Sequence, residues 1–292
     1  MITATSISGG KTSAYLAANF PTDRNVFSLV CVDDPNCGVS DKKLIQRVND
    51  KLDKSYCLEL EGEFIGTAED PMILNTIFDL EQLLGREIDW VRGSSFDQVV
   101  DKRGGWLPNK LHRYCTPWLK IWPMVRWWFF NFYPDPIQFN IGYRANEMGR
   151  QIKMNDRLNS DGLLTYDEFP ISQFIGSKYH RYEKVAWQKP NFPLIESGIF
   201  KDQIEAFWQK FPEVRFAYMN NCAGCFHRSP MLLAHMAQKL PDQLNWFSKT
   251  EENQPGQWRS DTEYKKILNW KPQAQLFTDD DFQECESGHC GV

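Results

Sequence analysis

The 292-residue sequence contains no apolar run long enough to cross a bilayer. Its most aromatic stretch, Ile121 to Tyr133, is too short to span and is interrupted by Arg126. No basic flank followed by a long apolar segment opens the chain, so Met1-Ile2-Thr3-Ala4-Thr5-Ser6 does not read as an export signal, and the expected location is the cytoplasm with no membrane partner. No period of about 20–50 residues recurs, which disfavours solenoids and propellers, and there is no low-complexity tract. An excess of positive charge is also missing. The formal net charge is −5 with a pI near 5.6, so the global field does not indicate a nucleic-acid acceptor, although a local basic groove stays open. Histidine is scarce, with five residues, and neither His112 nor His180 has a sequence partner that marks an acid or base.

What is present describes a globular protein. The apolar fraction is 42%, and eleven Trp and twenty Phe supply enough aromatic surface for a sizeable core. The length fits one main core, read as an α/β domain over 1–190 with a Cys-containing appendage over 191–292 that can be integral to it. Eight cysteines in a chain without an export signal are expected to be reduced, and are read for metal or redox chemistry before disulfides.

The order of elements is that of a parallel sheet. Ile2 to Ile7 is β-prone, Ser8-Gly9-Gly10 turns tightly, and Lys11 to Ala18 suits a helix. A second strand is expected over Asn25–Val32, a helix over Val39–Leu52 and a third strand over Ser55–Leu60. Helices are expected over Pro71–Leu84, Phe96–Lys102 and Lys201–Lys210, and a strand over Ile137–Tyr143; from Asn155 to Asn191 the pattern weakens. Strand and helix in alternation imply a parallel sheet.

Ser8-Gly9-Gly10-Lys11-Thr12-Ser13 puts two glycines where backbone can approach an anion, a lysine to neutralise it and hydroxyls at a helix N-terminus. The spacing is not that of the longer P-loop, because no glycine stands five residues before Gly10. The plainer alternative is a capped helix start after a Gly-Gly turn.

This segment resembles the PP-loop of adenine-nucleotide α-hydrolases, and the wider chain is similar to the phosphoadenosine phosphosulfate reductase family. Three further segments carry the resemblance in the family's order: His112 to Pro123, Asn140-Ile141-Gly142-Tyr143-Arg144-Ala145-Asn146-Glu147, and Pro193-Leu194-Ile195-Glu196. The resemblance implies a Rossmann-like open twisted parallel sheet, five-stranded or similar and flanked by helices, with ATP or an adenylyl sulfate-type nucleotide at the carboxyl ends of its strands and magnesium as its companion. Thr12 stands where ATP-cleaving PP-loops often carry Asp, which leaves open which bond is cut.

Cys222-Ala223-Gly224-Cys225 is a C-x-x-C pair, and with Cys115 it resembles, in related proteins, a binding pattern for a four-iron four-sulfur cluster. Family reductases generally show adjacent cysteines where Tyr114-Cys115 stands, so a fourth ligand is sought among Cys285, Cys290, Cys37 and His227, or one iron is open. Zinc, a redox pair and buried thiols are the other readings. The family's reductases attack substrate sulfur with a cysteine in the C-terminal tail, which makes Cys290 the candidate nucleophile. Its context, His289-Cys290-Gly291, differs in order from the family tail, and a frayed terminus is the competing reading.

Lys11, Arg144 and Arg150 are the cations expected on phosphate or sulfate oxygens, with Arg113 and Lys120 behind them. Asp33, after the second strand, is placed to meet ribose or adenine, or to cap its own turn. Trp127, Trp128, Phe129 and Phe130 are expected to pack in a core or a homo-oligomer interface. Lys11, Arg144 and Cys290 are therefore the catalytic candidates, and a thiol reductant or sulfur donor is the expected partner. Three functions follow: reduction of adenylated sulfate or related sulfur transfer, ATP-dependent adenylation of an acceptor for thiolation, and a nucleotide-binding adaptor without turnover.

Overall fold

A computed structural model of the chain describes residues 1–53, 63–174 and 181–270. The protein is α/β, with a six-stranded, mostly parallel sheet flanked by helices. The elements run β1 (Thr3–Ile7), α1 (Lys11–Asn19), β2 (Arg24–Leu29), β3 (Cys31–Val32), α2 (Lys42–Asp53), β4 (Gly66–Thr67), α3 (Met72–Leu84), β5 (Asp89–Arg92), α4 (Phe96–Lys102) and α5 (Trp122–Phe132). They continue with β6 (Ile137–Asn140), α6 (Met148–Asn155), β7 (Leu164–Phe169), α7 (Ile171–Phe174), β8 (Glu183–Asn191), α8 (Pro193–Glu196), α9 (Lys201–Trp208), α10 (Pro230–Lys239), α11 (Pro241–Asn253) and α12 (Tyr264–Asn269). The sheet order is β5-β2-β1-β6-β8-β7, and β3 pairs with β4 in a separate two-stranded ladder. Among the described residues no helix is long and apolar enough to cross a membrane.

Most expected elements form where the local chemistry asks for them. Ser95 caps α4 in a reciprocal box with Gln98, accepting from its backbone N–H at 3.2 Å while the Gln98 side chain accepts from Ser95 N–H. Gly85 ends α3 in the left-handed region at φ 59°. Ser229 caps α10 and Pro230 opens it, where a missing N–H is harmless.

The differences have local causes. The run over Asn25–Val32 is two strands, because the chain leaves the main sheet after Leu29 and Cys31–Val32 pairs antiparallel with β4. The strand from Ile137 stops at Asn140, where ladder pairing with β8 ends. Two paired strands occupy the weakly patterned 155–191 region. β8 runs parallel to β6, whereas β7 runs antiparallel to β8 at the sheet edge, so the sheet has six strands rather than about five and is not purely parallel. Edge strand β7 leaves Asp167 and Glu168 exposed, which erased its periodicity. The strand expected at 55–60 lies outside the described residues.

Two compact units interleave along the chain. One comprises Met1–Ile7, Lys11–Val26 and Met124–Pro212. Its core includes Trp127, Trp128, Phe139 and Trp187, each at most 3% exposed, so the two tryptophans of the α5 aromatic run pack inward there while Phe129 and Phe130 are half-buried. The other comprises Ser8–Gly10, Phe27–Pro123 and the described residues from Glu213 onward. Its core is centred on Phe96, which meets Trp246, Phe247 and Trp258 at centroid distances of 5.3, 6.2 and 5.5 Å. Burying such a side chain contributes about 1.5–3 kcal/mol against leaving it in water.

Candidate functional site

The glycine-rich loop joins β1 to α1. Gly9 has φ 72°, and a Cβ there would fall 2.2 Å from Ile73 Cγ1; a Cβ on Gly10 would fall 2.3 Å from Asn220 Nδ2. Gly9 is therefore required by close packing within its own unit and by its backbone conformation, whereas a side chain on Gly10 would have to move the Asn220 amide. Ser13 is buried in the first turn of α1. Gly142, from the expected Gly-x-Arg segment, approaches that turn: a Cβ on it would lie 3.6 Å from both Ser13 Cα and Thr12 Cγ2.

Lys11 is the first residue of α1, and its ammonium is ion-paired with Glu205 of α9. Trp208 Nε1 donates to the Lys11 carbonyl at 2.9 Å, so α9 holds both ends of this residue. Arg144 and Arg150 come together on a common carboxylate. Arg144 donates from its backbone N–H (2.9 Å) and Nε (3.1 Å) to Glu147 Oε2, and Arg150 Nη1 donates to Oε1 at 2.7 Å. Burial alone would raise the Glu147 carboxyl, but these hydrogen bonds and the two guanidiniums outweigh it and hold it below its ordinary value. Arg150 also stacks on Tyr143 at 4.1 Å from the ring centroid. The Arg-x-x-Glu pattern is thus an internal clamp in which both expected oxyanion ligands already hold an anion.

Asp33 is exposed and tied to the start of α4. Its backbone N–H donates to Asp97 Oδ2 at 2.7 Å, and its carboxylate accepts from Ser95 Oγ at 2.7 Å. Burial is the main cause that raises the Asp97 carboxyl, with the Asp33 charge adding to it.

Cys115, Cys222 and Cys225 all line one partly open cavity of about 40 Å³, together with Arg113, Lys120 and His227. That volume exceeds the roughly 10–15 Å³ needed by one water. None of the three cysteines is in a disulfide. Lys120 reaches this cavity from a π-helical turn, Pro117–Ile121, before α5; its Nζ donates to buried Glu69 at 2.9 Å and to Asn221 Oδ1 at 3.2 Å. The C-x-x-C loop itself is built on its carbonyls. Arg228 Nη2 donates to Asn220 O at 2.8 Å, Tyr264 Oη to Gly224 O at 2.7 Å, and Arg259 Nη1 to Phe226 O and Arg228 O at 2.8 and 2.6 Å. Arg228, Arg259 and Tyr264 are 3%, 6% and 0% exposed, so these bonds are shielded from water. Gly224 is necessary because a Cβ would lie 2.3 Å from the Phe247 ring.

The sulfurs have the right softness for iron or zinc and share one cavity. Among the described residues, however, no three His, Cys, Asp or Glu side chains form a converged metal-binding group, so a metal would require the thiols to draw together. Of the further ligands considered, His227 lines the cavity, whereas Cys37 does not. Cys37 is fully buried, its thiol donates to Asp242 O at 3.6 Å, and burial together with Asp34, Asp242 and Asp97 pushes it up to about 12. Cys285 and Cys290 lie outside the described residues.

The loop and the cysteine cavity meet along one short segment. Asn220 packs on Gly10, Asn221 lines the cavity in the left-handed region at φ 66°, and Cys222 follows. Sequence reasoning missed Glu69, Glu205, Asn220 and Arg259, because each acts through a contact distant along the chain, and Arg228, which acts on the carbonyls of Asn220 and Cys222 without any side-chain pattern to mark it. Only the left-handed Asn221, beside the C-x-x-C pair, offered a local signal. No protein-family model matches the chain, and no curated protein or solved structure matches it either.

Proposed function

We propose that the chain is an enzyme of the phosphoadenosine phosphosulfate reductase family that binds an adenine nucleotide at Ser8–Ser13 and acts in sulfur chemistry, on a Rossmann-like sheet of the adenine-nucleotide α-hydrolase type. One observation carries this reading: Asn220, two residues before Cys222, packs on Gly10, so the phosphate-loop glycine and the cavity of three thiols adjoin. A nucleotide phosphate on the loop would then lie on the side of the cavity that holds these thiols.

In this reading the backbone N–H groups at the start of α1 attract phosphate oxygens, and Lys11 neutralises them. Arg144 and Arg150 would release Glu147 in part to reach sulfate or phosphate oxygens, and Asp33 would meet the ribose or adenine edge. In the reductase form a cysteine thiolate, with Cys290 the candidate, attacks the sulfonate sulfur of an adenylyl sulfate. The S–O bond to the adenylate phosphate breaks and the nucleotide leaves with that electron pair. A second thiol then attacks the protein-bound thiosulfonate, forming a disulfide and releasing sulfite, and an external thiol reductant restores the dithiol. Cys115, Cys222 and Cys225 would hold an iron–sulfur cluster or zinc, which when bound would supply a sulfur-binding or structural centre.

The intact Ser-Gly-Gly-Lys loop favours a second chemistry on the same residues. Here an acceptor oxygen attacks the α-phosphate of ATP, pyrophosphate leaves, and a sulfur donor displaces the adenylate, with Lys11 offsetting the developing charge. Anaerobic incubation with ATP and with an adenylyl sulfate, following pyrophosphate and sulfite, decides between them. Sulfite supports reduction, pyrophosphate supports adenylation, and nucleotide binding without either product leaves an adaptor.

A further inference from the structure

We infer that Glu205 is an affinity-setting residue of the nucleotide site: its carboxylate holds the place of a phosphate oxygen on Lys11, and a phosphorylated ligand must displace it to bind. The inference rests on the nucleotide reading of the glycine loop and adds to it a competing anion supplied by the chain.

Three contacts from α9 converge on the beginning of α1. Glu205 pairs with the Lys11 ammonium, Trp208 Nε1 bonds the Lys11 carbonyl at 2.9 Å, and Phe207 meets Tyr15 edge-on at a centroid distance of 5.0 Å. Glu205 and Trp208 are three positions apart and so lie on one face of α9. The carbonyl bond and the aromatic contact hold α9 to α1 without Glu205. Its carboxylate can therefore let go without undocking the helix.

A carboxylate held on the Lys11 ammonium answers the same positive charge that a phosphate oxygen would. The pair is also weak enough to exchange. The Lys11 and Glu205 side chains are 37% and 31% exposed, against 15% and 14% for Lys51–Glu81. An ion pair at such exposure is typically worth no more than about 1 kcal/mol, which closes the lysine to ligand by roughly fivefold. A ligand with several phosphate charges overcomes that, and adenosine, which does not need Lys11, is indifferent to it.

The test is equilibrium titration of the full chain with ATP, AMP and adenosine, using wild type, Glu205→Gln, Glu205→Ala, Lys11→Ala and the Lys11→Ala/Glu205→Gln double variant, with thermal melts confirming that each is folded. Both Glu205 variants are expected to bind ATP and AMP more tightly than wild type, by up to about fivefold, and adenosine equally well, and the gain should vanish in the Lys11→Ala background. Unchanged or weaker ATP binding by folded Glu205 variants, with Lys11→Ala still impaired, would overturn the inference and leave the nucleotide site standing. Absence of ATP binding in wild type and all variants would remove the nucleotide reading, and the inference with it.

Discussion

The side-chain amide of Asn220 occupies the space a methyl group on Gly10 would need, with Nδ2 only 2.3 Å from the Cβ position. Gly10→Ala should therefore displace Asn220, whose carbonyl is held by Arg228, and transmit the shift toward Cys222. We expect a loss of about 1–3 kcal/mol in stability from overpacking, together with changed alkylation rates at Cys222 and Cys225. Chemical denaturation and mass-spectrometric mapping of alkylated cysteines measure the two effects; an alanine variant with wild-type values of both would refute the coupling.

Tyr264→Phe tests the carbonyl scaffold of the C-x-x-C loop. It removes only the hydroxyl that donates to Gly224 O at 2.7 Å in a fully buried position. The unsatisfied carbonyl should cost about 1–3 kcal/mol, read as a lowered urea midpoint.

Cysteine reactivity should follow position. Cys37, pushed up to about 12 mainly by burial, would be roughly one part in ten thousand thiolate at pH 8 and should resist iodoacetamide until the protein unfolds. Among the described residues, the partly exposed Cys115, Cys222 and Cys225 should react before Cys37. If iron or zinc copurifies with the protein, Cys222→Ser/Cys225→Ser should abolish it; retained metal would exclude these residues as ligands.

Glu147 should make the protein acid-sensitive. Its carboxyl is lowered in the folded state, so its contribution to stability is present above the unfolded value near 4.5 and is lost as pH falls through the folded value. Glu147→Gln should flatten part of the loss in stability below about pH 4.5. At neutral pH it should cost about 1–2 kcal/mol, because Arg144 and Arg150 lose a charged acceptor. Urea midpoints measured across the acid range check both effects.

The sequence was most informative where function and fold use neighbouring residues. The strand, Gly-Gly turn and helix from Thr3 to Asn19 are legible because β-branched residues, glycines and helix formers follow one another in the order the geometry requires. Cys222 and Cys225 share a cavity because their spacing makes a single turn, with Cys225 N–H bonded to Cys222 O at 3.2 Å. Residues that depend on contacts remote in sequence gave no such sign. Glu205 lies 194 positions from Lys11, and Glu69 is 51 positions from Lys120. The β7–β8 pair was obscure for a different reason, since a half-exposed edge strand need not alternate cleanly.

The central claim, that Ser8–Ser13 holds the phosphates of an adenine nucleotide, is tested most directly by anaerobic calorimetric titration of ATP into wild-type protein and Lys11→Ala. Saturable binding to wild type is expected, with an affinity lowered by about 10–150-fold in the variant, corresponding to loss of a charged hydrogen bond worth about 1.5–3 kcal/mol. Equal dissociation constants for the two proteins, or no saturable binding to wild type, would contradict it.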